Sequence, residues 1–141
     1  MKRSILAFAV ALVLWILVLS LLNRGLRLLI AGYAAAEPTM GFTPAMLAAR
    51  LTIGALTSFI AGAVAGWIAP ASPRMPLLLG ATLLAAFIPV HVRLWSLFPF
   101  WYHLVFLVTL IPLVVLGARV ARAAVSGGTS PASRAVRAAS S

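Results

Sequence analysis

The chain has 141 residues, of which 64% are hydrophobic and 9% charged. A water-soluble domain is roughly a quarter charged, so this composition excludes that class and points to one small membrane domain. Cysteine is absent, which excludes disulfides, thiolate nucleophiles and Cys-based metal sites, and the net charge of +10 comes from basic residues in ones and twos at the ends of apolar runs, a pattern of membrane topology and not of nucleic-acid binding.

The basic start Lys2-Arg3 leads into an apolar run from Ile5 to Leu22, in which Ser20 is the one polar residue. At about 1.5 Å per residue such a run covers about 27 Å, close to the thickness of a hydrocarbon core. It is longer than the apolar core of a cleaved leader, and Arg24 and Arg27 separate it from the small residues Ala34-Ala35-Ala36. A retained first span over about 5–22 is expected.

A long connection follows, from Asn23 to Met46. Leu26, Leu28, Leu29 and Ile30 surround Arg27, so its start either extends the first helix or lies along the membrane interface. Glu37-Pro38 and Gly41-Phe42-Thr43-Pro44 break regular structure. Thr43 is placed to cap the next helix, with Pro44 at its first position.

The second span, about 47–69, contains LTIGALTSFIAGAVAGWIA. Gly54, Ser58, Gly62 and Gly66 recur every fourth residue and share one helix face. That face has almost no side chains, so a neighbouring backbone can approach closely. In lipid such packing drives helix association, either within one bundle or between copies. Arg50 lies near the start of this span; it either snorkels to the headgroups, pairs with Glu37 or lines a polar cavity.

The turn Pro70–Pro76 leads to a third span over about 76–95, with Pro89 inside it. Arg93 to Phe98 forms a short hairpin, and a fourth span covers about 99–118 with Pro112 inside it. Each internal proline frees a backbone carbonyl one turn earlier. Ser126 to Ser141 is rich in Ser, Gly, Ala and Arg and has no apolar period, so it reads as a disordered basic tail. The expected fold class is therefore all-α, a polytopic bundle of four transmembrane helices.

With four spans both termini share one side. That side holds Lys2, Arg3, Arg74, Arg119, Arg122, Arg134 and Arg137, and the other holds Arg24, Arg27, Arg50 and Arg93. The excess of basic residues predicts cytoplasmic termini. Trp95, Trp101 and Tyr102 then belong to the outer aromatic belt, with Trp67 near the inner face.

Three blocks carry a resemblance through their order and spacing: Ala65-Gly66-Trp67-Ile68-Ala69-Pro70 leading to Pro73-Arg74-Met75 and Leu79-Gly80; Pro99-Phe100-Trp101-Tyr102-His103; and Ile111-Pro112 leading to Leu116-Gly117. Over residues 47–120 the chain resembles a group of small four-helix bacterial inner-membrane proteins. It departs from that group at Ala49-Arg50, where a Tyr-Arg pair is expected, and at Gly117-Ala118, where a Gly pair is expected. The resemblance implies four spans in the bacterial inner membrane and supplies no activity.

The chemistry is sparse. Glu37 is the single acidic side chain, so a side-chain carboxylate pair is impossible within one chain. His91 and His103 end one helix and begin the next at similar depth, but two imidazoles without Cys or carboxylate make a poor metal cage. Ser and Thr have no matched base. No enzyme, cofactor or metal site is expected. The candidate contact site at the outer interface comprises Arg50, His91, Arg93, Trp101 and His103, for a partner or an anionic headgroup. The expected function is that of a structural, assembly or accessory subunit, and the alternative is an oligomeric transporter or channel for a small neutral or anionic solute. The expected partners are the lipid bilayer and, within it, another copy or another membrane protein.

Overall fold

The structure is a computed structural model and describes residues 2–127. Among the described residues there are five helices and no strand: α1 Lys2–Leu29, α2 Tyr33–Ala36, α3 Pro44–Ile68, α4 Met75–Arg93 and α5 Phe100–Gly127. All except α2 are long and apolar enough to cross a membrane. They run alternately up and down, and their contacts close a ring in the order α1, α3, α5, α4.

Local chemistry sets most of the helix ends. Thr43 caps α3 by accepting a hydrogen bond from the Met46 N–H at 3.3 Å, with Pro44 in the first turn. Gly32, at φ 78°, makes the left-handed turn between α1 and α2. Three bounds differ from the expected ones. α1 continues through the start of the connection to Leu29, because Leu26 is buried against Tyr33 and Met46. α4 ends at Arg93, and Trp95 lies in the following turn. α5 continues well past 118 through Ala- and Arg-rich sequence of high helix propensity. Arg122 on this extension donates to the Ser72 carbonyl at 2.8 Å, tying it to the α3–α4 turn. Ser126 and Gly127, expected in the tail, are helical, and 128–141 lie outside the described residues.

The core is built of small residues against a few large ones. Ala7, Ala11 and Trp15 of α1 meet Ala61 and Ala65 of α3, Leu79 and Leu83 of α4, and Leu110 and Val114 of α5. The most extensive contact is between α3 and α5. All four stripe residues are buried in it or beside it. A Cβ at Gly62 would stand 2.8 Å from Val114 Cα, and one at Gly66 would stand 2.7 Å from Ala118 Cα. From the other helix, a Cβ at Gly117 would stand 2.9 Å from Ala63 N. Backbone meets backbone along this seam, at distances no side chain tolerates. Ser58 serves a different neighbour: its hydroxyl accepts from Trp15 Nε1 at 3.1 Å and donates to the Gly54 carbonyl at 2.8 Å, joining α1 to α3.

Candidate functional site

The polar side chains gather at one end of the bundle, where α1 and α4 finish and α3 and α5 begin. Arg50 is the centre of the group. Its Nη1 donates to the Tyr33 hydroxyl at 2.9 Å and its Nε to the Tyr102 hydroxyl at 3.4 Å. The Phe42 ring covers the guanidinium at 4.8 Å. Tyr33 in turn donates to Asn23 Oδ1 at 3.0 Å. Four segments of the chain therefore converge on one cation: α1 through Asn23, the α1–α3 connection through Tyr33 and Phe42, α3 through Arg50 itself, and α5 through Tyr102.

Glu37 does not join this group. Its carboxylate pairs with Arg27 on the last turn of α1. In place of a pairing with Glu37, Arg50 bonds two phenols. The physical reason is sequence distance: α1 extends to Leu29, which carries Arg27 over the connection and within reach of Glu37. Burial raises the Tyr33 phenol above its ordinary value of 10, against the opposing pull of Arg50. Tyr33 is a neutral acceptor at neutral pH, so the charge of Arg50 is hydrogen-bonded without being neutralised.

His91 and His103 form the second cluster. Their Nδ1 atoms are 2.8 Å apart, and both rings are buried. One ring donates and the other accepts. Trp95 stacks on His103 at 4.9 Å, and Tyr102 stacks on His91 at 5.9 Å, so the pair is walled by aromatic faces. Among the described residues, His103 Nε2 is buried without a hydrogen-bond partner.

Two cavities flank Arg50. An open one of about 500 Å³ lies between the end of α1 and the connection, and Arg27, Glu37, Met40 and Phe42 contribute to its walls. An inner one of about 100 Å³ is lined by His91 and Tyr102 together with apolar side chains such as Phe87 and Phe106. Asn23 and Arg50 line both. Deeper along the bundle, beside Ser58, there is a void of about 10 Å³.

Of the residues expected at the contact site, the structure brings Arg50, His91 and His103 into one region through Tyr102. Arg93 and Trp101 are exposed; Trp101 touches the region at its edge, through the Tyr102 ring at 6.2 Å. Asn23, Tyr33, Phe42 and Tyr102 are the members that the sequence did not mark. Tyr102 stood in an aromatic belt, and Tyr33 in a connection with no periodic signal. No family model, curated protein or solved structure matches the chain.

Proposed function

We propose that the chain is a multi-pass protein of the bacterial inner membrane with both termini in the cytoplasm, acting as a structural, assembly or accessory subunit. Membrane residence is supported by the exposed apolar surface of the long helices. Leu17 and Leu21 on α1, Leu78 on α4 and Val108 on α5 are each at least 60% exposed, which a water-soluble monomer does not sustain over so wide an area. Orientation rests on the excess of Lys and Arg at the end that holds Lys2, Arg3, Arg74, Arg119 and Arg122.

The observation that carries the accessory reading is the seam between α3 and α5. Its glycines set backbone on backbone at the middle of the bundle, where a transporter would keep a polar, mobile pathway. The void beside Ser58 has room for about one water. Arg50, standing between two cavities, favours the second reading, an oligomeric path for a small anionic or neutral solute.

Affinity purification from mild detergent separates them. The accessory reading expects a membrane protein to co-purify in fixed stoichiometry and liposomes of the purified chain to be impermeable to chloride and glycerol. A lone oligomer that conducts either solute would overturn it.

A further inference from the structure

We propose that Arg50 is the centre of a binding site for a phosphate group, in the open cavity between the end of α1 and the connection that follows it. An arginine inside a membrane-crossing helix is costly and is ordinarily paired with an acid or aimed at a polar ligand. Arg50 has no acid. The carboxylate of Glu37 is taken by Arg27, and the two groups bonded to Arg50 are phenol hydroxyls. Among the described residues, Nη2 of Arg50 makes no hydrogen bond, while Nε and Nη1 are fixed by Tyr102 and Tyr33 and one face is closed by Phe42. The guanidinium is thus oriented and keeps a free donor. With Arg27, Glu37 and Arg50 on its wall, the cavity has a net charge of +1. A planar fork with unused donors suits a tetrahedral oxyanion better than an ammonium would.

The location narrows the source. Asn23 follows directly on the apolar run Ile5–Leu22, so this cavity sits where hydrocarbon gives way to headgroups. Its volume of about 500 Å³ accommodates more than a bare ion, and its rim includes apolar Met40 and Phe42. The phosphate is that of a phospholipid headgroup or a free phosphate anion. The lipid source rests on the multi-pass reading; the anion source does not.

The test is a titration of delipidated protein in detergent, followed by native mass spectrometry. The probes are dioleoyl phosphatidylglycerol, dioleoylglycerol, which lacks the phosphate, and inorganic phosphate. The wild type is expected to bind one phosphatidylglycerol and to discriminate against dioleoylglycerol. Arg50→Gln is expected to weaken that binding about tenfold or more, the usual worth of a hydrogen bond to a charged group. Arg50→Lys keeps the charge without the fork and is expected to fall between them. Displacement of the lipid by millimolar inorganic phosphate would assign the site to a free anion; resistance to it would assign the site to the lipid. Tyr33→Phe keeps the ring, removes the oxygen that positions Nη1 and is expected to weaken binding about threefold; it carries the test if Arg50→Gln loses its helical circular dichroism. Equal binding of phosphatidylglycerol and dioleoylglycerol by the wild type, or wild-type affinity in both Arg50→Gln and Tyr33→Phe, would overturn the proposal. Failure of the multi-pass reading is seen separately, as loss of sidedness in thiol labelling.

Discussion

The imidazoles of His91 and His103 are joined by a hydrogen bond between two Nδ1 atoms 2.8 Å apart. Each is therefore the other's buried partner. Removing one ring strands a nitrogen in an aromatic pocket, which costs about 1–3 kcal/mol, whereas removing both removes the need. A double-mutant cycle with His91→Leu and His103→Leu is expected to be strongly non-additive: each single variant destabilised by about 1–3 kcal/mol, and the double variant by less than the sum. Thermal unfolding in detergent reads it, and additive effects would mean that the two rings are independent. The sequence placed both histidines at similar depth, from helix ends alone. It did not show the bond, because facing depends on helix rotation, and α4 has no polar stripe from which that rotation could be read. Arg93, two residues from His91, points the lesson: helical residues two apart lie on different faces, and Arg93 is exposed where His91 is buried.

At the scale of the element, α3 is explained by its missing side chains. Gly62 and Gly54 belong to one stripe and face different obstacles. A Cβ at Gly62 meets the backbone of Val114, which cannot step aside without moving α5. A Cβ at Gly54 stands 3.1 Å from a ring carbon of Phe106, which can turn. Gly62→Ala is expected to lower stability by about 1–3 kcal/mol, as overpacking does, and Gly54→Ala by distinctly less. Melting temperatures in one detergent check the order; a Gly54→Ala loss equal to that of Gly62→Ala would show that the seam is not backbone on backbone. The stripe itself was legible, since a period of four among small residues needs no structure to be seen. Its partner was not. Gly117 and Ala118 look like an ordinary small pair until α5 lies against Gly62 and Gly66, and Ser58 reads as one more small residue until Trp15 reaches it from α1.

At the scale of the whole molecule, four apolar runs were enough to give the four membrane-length helices, though not the short α2, because each run is near a membrane's thickness and bounded by Pro, Gly or Arg. The extensions were not legible. The stretch of α1 past 22 carries Arg24 and Arg27, that of α5 past 118 carries Arg119 and Arg122, neither is a continuous apolar run, and tertiary contacts through Leu26 and Arg122 hold them. The polar site escaped for a related reason: its members come from segments up to 79 positions apart, Asn23 to Tyr102, and meet only when the bundle closes. The central claim is that four helices cross one membrane in alternation, with the Arg50 end and the Ser72 end on opposite sides. The native chain has no cysteine, so single-cysteine variants report without background. Ser96→Cys stands in the turn after α4 and Ser72→Cys in the turn before it. In intact spheroplasts, a membrane-impermeant maleimide is predicted to label Ser96→Cys and to label Ser72→Cys only after lysis. Labelling of both from the same side would contradict the account.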